Sequence, residues 1–251
     1  MTLNNIHFFI TLLCIGMIIG CKDEIPETTV DLKVEIQEKL QQLEGDFAVA
    51  FKNIDDSTQT VLIKEREMFH AASTMKTPVM IELFKQAAAG WFSLDDSILV
   101  KNEFRSIVDS SFYKMDISED SEGELYEKIG QKRTIRRLIN DMITMSSNLA
   151  TNILIEKVGA QNVTQTMRSY GADSIKVLRG VEDIKAYKKG LSNRTTALDE
   201  AIIYERLGQG EAVNKVASKE MIEILKKQQF NDMIPARLPD NVEVAHKTGW
   251  I

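Results

Sequence analysis

The chain is organised around His70-Ala71-Ala72-Ser73-Thr74-Met75-Lys76-Thr77-Pro78, which leads into the apolar run Val79-Met80-Ile81-Glu82-Leu83-Phe84-Lys85. The run has a helical pattern, and residues three apart lie on one face of a helix. We therefore expect Ser73 and Lys76 to sit side by side in its first turn. A serine hydroxyl becomes a nucleophile when a base takes its proton, and a lysine amine whose pKa is lowered by burial is such a base.

Taken alone, Ser-x-x-Lys is a short pattern of common residues, and it has a structural explanation. A serine at the start of a helix often serves as its N-cap, and the lysine can then be solvated. A Ser-His-Asp triad also stays open, because His246 can meet Ser73 in space. Evidence from other parts of the sequence is needed to distinguish these interpretations.

Composition predicts a globular protein. The 251 residues are 43% hydrophobic and 27% charged, which fits one large domain or two closely packed ones. The formal net charge of −6 argues against a nucleic-acid partner. The two cysteines, Cys14 and Cys21, lie near the start of the chain, and the three histidines are far apart. We therefore expect no disulfide, no metal and no cofactor in the folded domain.

The N-terminal segment predicts export. Residues 6–20 are almost wholly apolar and too short for a comfortable transmembrane helix, which is typical of a signal peptide. Ile18-Ile19-Gly20-Cys21 resembles a bacterial lipobox, which implies cleavage before Cys21 and a lipid on its thiol. We predict a signal peptide over 1–20, a tether over 21–32 and a domain over 33–251. The protein would be a monomeric secreted lipoprotein of the bacterial cell envelope, periplasmic or surface-exposed; a buried N-terminal helix is the alternative.

The pattern along the chain predicts an α+β fold. We expect a β-hairpin, a long helical middle and a terminal strand. The hairpin pairs 45–51 with 61–63 across a turn at 53–57. Helices are expected over 34–43, 73–90, 134–145, 149–158, 162–170, 195–207 and 218–229, an irregular loop over 93–123, an unassigned polar stretch over 181–193 and a last strand over 242–249.

Three motifs follow one another: Ser73-x-x-Lys76, Ser146-x-Asn148 and Lys247-Thr248-Gly249. Their order and separation resemble the active-site triple of penicillin-recognising serine enzymes, and residues 142–152 are similar to the class A β-lactamase segment at this place. The resemblance runs from about residue 45 to residue 250. It implies an antiparallel sheet packed against helices, with an all-helical subdomain.

The resemblance implies a role for each motif residue. Ser73 would attack the lactam carbonyl and Lys76 would help to deprotonate it. Ser146 would pass a proton to the departing lactam nitrogen. Asn148 would hold the amide of the substrate side chain, whereas the strand residues Lys247, Thr248 and Gly249 would meet the substrate carboxylate.

Two departures from the family pattern affect hydrolysis of the acyl-enzyme. Class A enzymes carry Arg-x-Glu in the loop that supplies the deacylation base. Here the loop reads Arg179-Gly180-Val181-Glu182-Asp183, so Glu182 comes one residue late. Either the loop has an altered register and Glu182 is the base, or the site has none. The family's Ser-Asp-Asn is also Ser-Ser-Asn here, and we expect Ser147 to cost little chemistry.

The family continues past its lysine-threonine-glycine strand with two more strands and a C-terminal helix, which this chain lacks. The second oxyanion donor would fall at or beyond Trp250, and we expect a truncated chain. Three functions stay open. The first is a β-lactamase-like serine hydrolase conferring antibiotic resistance, the second a D-Ala-D-Ala peptidase acting on cell-wall peptides, and the third a non-catalytic penicillin-binding lipoprotein or inactive remnant.

Overall fold

The computed structural model describes residues 27–251. The predicted signal peptide, Cys14, Cys21 and residues 21–26 of the predicted tether lie outside the described residues. The other half of that tether, residues 27–32, forms the start of the first helix. Within residues 27–251, no helix is long and apolar enough to cross a membrane.

Helices make up most of the regular structure. The α-helices are Glu27–Gln41 (α1), Lys76–Ala88 (α2), Ile135–Thr144 (α3), Asn148–Val158 (α4), Ala160–Ser169 (α5), Ile184–Lys188 (α6), Ala197–Gly208 (α7) and Lys215–Leu225 (α8). The strands are Val49–Lys52 (β1), Thr60–Ile63 (β2), Phe69–His70 (β3), Ser97–Leu99 (β4), Phe104–Arg105 (β5), Phe112–Tyr113 (β6), Lys132–Thr134 (β7) and Arg194–Thr195 (β8).

The predicted hairpin forms in antiparallel register, with Val49 opposite Ile63 and Lys52 opposite Thr60. Its turn is made by short polar side chains that accept hydrogen bonds from nearby backbone. Asn53 Oδ1 accepts from the residue 55 N–H at 2.9 Å. Helix α1 packs against β2 and α7 packs against β1, so the hairpin is covered by helices.

Helix α2 is the centre of the core and carries the stretch that opens the motif series. Its side chains from residue 76 to 84 are all buried, and α3, α4, α5 and α8 pack around it. Complete burial of one Leu, Ile or Met side chain contributes about 1.5–3 kcal/mol. Burial on all sides makes α2 a rigid support for the residues at its N-terminus.

Threonine side chains cap the N-termini of α3 and α7. Thr134 accepts a hydrogen bond from the residue 137 N–H and caps α3, and Thr196 accepts one from the residue 199 N–H and caps α7. The caps stand where the helices predicted over 134–145 and 195–207 begin. Gly159 separates α4 from α5 at φ +82°, a left-handed conformation that glycine adopts without strain.

Three predictions about local structure were wrong or incomplete. Residues 242–249 form no strand, because no strand among residues 27–251 runs beside them to exchange backbone hydrogen bonds. The irregular stretch over 93–123 contains β4, β5 and β6, which pair in two-stranded ladders. The unassigned polar stretch contains the short helix α6.

Candidate active site

Ser73 lies in a tight 3₁₀ turn, Ala72–Met75, that leads directly into α2. The residue before it, Ala72, has φ +45°, in the left-handed region that non-glycine residues rarely adopt. Lys76 is the first residue of α2 and is fully buried. The serine and the lysine are therefore one turn apart at the end of the most buried helix, as the sequence predicts.

The Lys76 ammonium is held by residues of the second motif. Its Nζ donates to Ser146 O at 2.7 Å, to Ser146 Oγ at 3.1 Å and to Asn148 Oδ1 at 2.9 Å. Burial lowers the pKa of Lys76 well below its usual value, and the nearby Lys247 lowers it further. The negative charges of Asp120 and Glu182 oppose this lowering of the pKa. A lowered pKa favours the neutral amine, which is the form that can accept the proton of a serine hydroxyl.

Lys247 reaches the same hydroxyl from the other side. Its Nζ donates to Ser146 Oγ at 3.0 Å and to the carbonyl of Thr248 at 2.8 Å. Burial lowers the pKa of Lys247 to about 8. Ser146, at φ +55°, thus places one hydroxyl between two amines whose pKa values are both lowered. This arrangement can move a proton through Ser146 in either direction.

Gly249 lies close to the backbone of Ser73. A Cβ added at residue 249 would lie 3.1 Å from the backbone nitrogen of Ser73 and 3.1 Å from the Ala72 Cβ. The segment therefore approaches Ser73 at a distance that favours glycine. The third motif therefore lies beside the backbone N–H of Ser73.

Asn148 links the lysine to the loop that follows α5. Its Oδ1 accepts from Lys76, and its Nδ2 donates to Glu182 Oε1 at 2.9 Å. Burial raises the pKa of Glu182, and the hydrogen bond from Asn148 opposes that shift. The Glu182 carboxylate is thus one side chain away from the Lys76 amine.

The backbone of Val181 is fixed by Asn152, a buried residue of α4. Asn152 Oδ1 accepts from the Val181 N–H at 2.7 Å, and its Nδ2 donates to the Val181 carbonyl at 3.0 Å. The Val181 side chain packs against the core. Glu182 follows at φ +60° and lines the cleft beside Ser73. Val181 thus packs against the core at the edge of the cleft, and the Glu182 carboxylate meets Asn148 inside it.

Asn193 forms hydrogen bonds with the backbone at the start of the same loop. Its Oδ1 accepts from the N–H groups of Leu178 and Arg179 at 2.8 and 3.2 Å, and its Nδ2 donates to the Arg179 carbonyl at 2.9 Å. The Arg179 guanidinium donates to the carbonyls of Leu191 and Gly180 at 2.9 and 2.8 Å. Buried amide and guanidinium groups therefore bind the loop backbone directly.

Asp120 performs a role that the sequence analysis did not assign. Its carboxylate accepts from the N–H groups of Asn148 and Leu149 at 2.9 and 2.8 Å, the first two of α4. Ser147 caps the same helix by accepting from the Ala150 N–H at 3.2 Å. The family's acidic residue is absent from position 147, and a carboxylate reaches this helix start from the preceding loop instead. Asp120 belongs to the stretch over 93–123 that the sequence predicts as an irregular loop, and the sequence gives no signal of this contact.

The cleft has a volume of about 700 Å³, and its lining includes Ser73, Asn148, Glu182 and Trp250. This size suits a small molecule. His246 Nε2 pairs with Asn231 Oδ1 at 3.1 Å, and within residues 27–251 no hydrogen bond joins the His246 ring to Ser73. The arrangement therefore gives no support to a Ser-His-Asp triad. Among residues 27–251, no group of three or more His, Cys, Asp or Glu side chains is placed to hold a metal ion.

The sequence matches a known protein family. The sequence model of the beta-lactamase enzyme family matches residues 31–251. A search of curated protein sequences finds no match.

Solved structures share the fold. A β-lactamase from Sphaerobacter thermophilus DSM 20745 is 24% identical with a TM-score of 0.70, over 89% of this chain and 79% of that chain. PBP-A is 25% identical with a TM-score of 0.72, over 87% of this chain and 77% of that chain. A β-lactamase from Chitinophaga pinensis DSM 2588 is 23% identical with a TM-score of 0.71, over 88% and 78%. These likenesses confirm the predicted α+β fold.

Proposed function

The chain belongs to the beta-lactamase enzyme family, and we propose that it is a class A-like serine hydrolase that opens β-lactam rings through an acyl-enzyme on Ser73. One observation carries the proposal. The amines of Lys76 and Lys247 converge on Ser146 Oγ at 3.1 and 3.0 Å, and Lys76 begins the helix that follows the turn of Ser73. Such a pair supplies both a base for the nucleophile and an acid for the leaving group.

In the acylation step, the unprotonated Lys76 amine takes the proton of Ser73 as Ser73 Oγ attacks the lactam carbonyl. The backbone N–H of Ser73 stabilises the negative charge that develops on the carbonyl oxygen. The C–N bond then breaks, and the nitrogen receives a proton from Ser146 Oγ. Lys76, which now holds the Ser73 proton, passes it to Ser146, while Lys247 keeps its hydrogen bond to the same hydroxyl.

In the deacylation step, Glu182 accepts a proton from a water molecule as the water attacks the ester of Ser73. The ester C–O bond breaks, the proton returns to Ser73 Oγ, and the ring-opened acid leaves. Glu182 is supported in this role because it lines the cleft and accepts a hydrogen bond from Asn148. Lys247 and Thr248 are proposed to hold the substrate carboxylate, and Asn148 its side-chain amide.

A penicillin-binding protein that keeps its acyl group is the second candidate. Glu182 stands one residue after the family's position, and a solved structure of similar fold is a mutant of PBP-A as an acyl-enzyme complex with penicillin G. The acylation residues serve both functions equally. The two candidates therefore differ only in the fate of the Ser73 ester.

An intact-mass time course of the domain mixed with penicillin G separates the two candidates. A hydrolase gives an adduct that forms and clears while the substrate is consumed. An adduct that persists after the free penicillin is gone supports the penicillin-binding candidate instead. A folded protein that never forms an adduct contradicts the nucleophile assignment on which both candidates depend.

We also propose that the protein is a monomeric lipoprotein of the bacterial cell envelope, anchored through Cys21 and contributing to β-lactam resistance. The support is the lipobox-like sequence that ends at Cys21. Incorporation of labelled palmitate by the full chain in a bacterial host, with Cys21→Ala as the control, tests the anchor. Equal labelling of both chains would exclude it.

A further inference from the structure

His70 makes a hydrogen bond to the backbone that precedes the nucleophile. Its Nδ1 accepts from the Ala72 N–H at 2.9 Å. The residue ends β3, which pairs with β8 so that His70 stands opposite Arg194. None of the proposed catalytic steps uses the His70 ring, although it lines the same cleft as Ser73.

The bond matters because Ala72 holds a strained conformation. At φ +45° its Cβ crowds the backbone, and a non-glycine residue persists there only when its surroundings impose it. Two neighbouring contacts help, since the Ala71 N–H donates to the Asn193 carbonyl at 2.9 Å and the Thr74 N–H donates to the Ala71 carbonyl at 3.0 Å. The hydrogen bond from Ala72 to His70 differs from these two, because it joins a side chain to the strained residue itself.

We propose that His70 is a positioning residue, whose neutral imidazole holds Ala72 in the left-handed conformation that presents Ser73, and whose protonation releases it. The inference rests on the proposed role of Ser73 as the nucleophile. A protonated ring carries a hydrogen on Nδ1 and cannot accept from the Ala72 N–H. The backbone before Ser73 then loses a restraint, and acylation slows.

The surroundings of the ring favour its neutral form. Burial lowers the pKa of His70, and the positive charges of Arg179 and Arg194 lower it further. The Tyr187 ring of α6 stands edge-on with its centroid 6.3 Å away. The carboxylates of the cleft are Asp116, Glu119, Glu182 and Asp183, and its remaining cation is Lys114. The acceptor form therefore predominates at neutral pH and is lost as the pH falls through a value below 6.5.

Two variants separate the hydrogen bond from the shape of the ring. His70→Asn keeps an acceptor near the place of Nδ1 and does not titrate, whereas His70→Phe keeps the ring and has no acceptor. We would measure the acylation rate by penicillin G for both variants and the parent between pH 4.5 and 8. Lys76 and Glu182 titrate in all three proteins, so differences between them report on residue 70.

We expect His70→Asn to acylate at neutral pH at a rate close to that of the parent and to lose part of the decline at acid pH. His70→Phe should acylate about ten- to a hundredfold more slowly throughout, as for a misplaced reacting group. A rate and pH profile of His70→Phe that match the parent would overturn the proposal.

Hydrogen exchange of the Ala72 amide, followed by NMR without any substrate, gives an independent readout. We expect protection in the parent and in His70→Asn, and faster exchange in His70→Phe. Equal protection in all three proteins contradicts the proposal even if acylation changes. If the parent forms no acyl-enzyme, the proposed function fails, while this exchange experiment still decides whether His70 holds Ala72.

Discussion

The acylation centre around Lys76 and the loop around Glu182 face one cleft but are held by different interactions. Two buried lysines hold the centre, and both donate to Ser146. The loop is held through its backbone, by the Asn152 amide and the Arg179 guanidinium. Contacts between side chains thus set the centre, whereas contacts to the backbone set the loop.

This difference separates two steps of the proposed reaction. Acylation depends on the centre, whose residues come from three distant parts of the chain. Deacylation depends on where one loop carboxylate lies. A substitution in the loop can therefore impair release of the acyl group while its formation continues, whereas a substitution in the centre blocks both.

Ser73→Ala should have the largest effect, complete loss of covalent labelling by penicillin G. An alanine has no oxygen to carry the acyl group, so neither half of the site can act. Intact mass spectrometry measures the adduct, and thermal unfolding verifies that the variant is folded. Labelling that survives the substitution would assign the nucleophile to another residue, and Ser146 would be the first to test.

The centre was predictable from the sequence because its three motifs follow one another in the order and separation of a known family, although each motif alone is a weak signal. Ser73 and Lys76 open an apolar helix, and Ser146 and Asn148 stand between two helices. The structure brings these residues together with Lys247, as the resemblance implies. The positive φ at Ala72 and Ser146 was not predictable, because neither residue is a type that marks a left-handed conformation.

Glu182→Gln should slow release of the acyl group by about a hundredfold or more, the contribution of a general base, without slowing its formation. Glutamine keeps an oxygen to accept from Asn148, so the loop keeps its place while the base is lost. Because burial raises the pKa of Glu182, release by the parent should slow as the pH falls through a value above 4.5, where the carboxylate gains a proton.

Glu119→Gln is the matched control for this prediction. It removes an acidic group from the same cleft and leaves intact the backbone carbonyl of residue 119, which accepts from Asn148 at 3.4 Å. We expect its rate of release to equal that of the parent. Equal release by Glu182→Gln and the parent would show that the loop supplies no base.

The loop was not predictable in the same way, because a shift of one residue redirects a side chain. Whether the side chain of Val181 or that of Glu182 meets Asn148 depends on Asn152. This residue of α4 forms hydrogen bonds with the backbone of Val181. Asn152 lies within a segment similar to the class A sequence, but nothing in that segment states its distant partner. Short-range patterns identify helices and caps, whereas long-range side-chain contacts decide the register of a loop.

Gly180→Ala should weaken the loop by about 1–3 kcal/mol in the free energy of unfolding. A Cβ at residue 180 would lie 2.1 Å from Asn152 Oδ1, and Asn152 cannot withdraw without losing its bonds to Val181. We expect slower release of the acyl group with little change in acylation. Urea unfolding and the mass time course measure the two effects.

Gly123→Ala is the control for the added methyl group. Its Cβ would meet Ile117 Cδ1 at 3.7 Å, an ordinary contact, and residue 123 is exposed. We expect nearly unchanged stability and release. A release rate of Gly180→Ala that equals that of the control would show that the position of Glu182 does not depend on the clamp by Asn152.

Ser147→Ala should have the smallest effect. It tests whether a residue next to the acylation centre contributes only to stability. Ser147 is fully buried between two residues that contact Lys76, yet within residues 27–251 its Oγ accepts only from the Ala150 N–H. Loss of this cap should cost about 1 kcal/mol of stability, since Asp120 still accepts from the first two N–H groups of α4. For a domain of this size that corresponds to about 2–4 °C in Tm.

The effect of Ser147→Ala is to be compared with that of Ser146→Ala, the same substitution at the neighbouring residue. It removes the hydroxyl that receives hydrogen bonds from Lys76 and Lys247, and it should slow acylation by about a hundredfold or more, as expected for loss of a proton-transfer group. Adjacent serines should thus differ, one in rate and the other only in stability. If Ser147→Ala slows acylation as strongly as Ser146→Ala, the cap and the chemistry are coupled through the start of α4, and the acylation centre extends to Asp120.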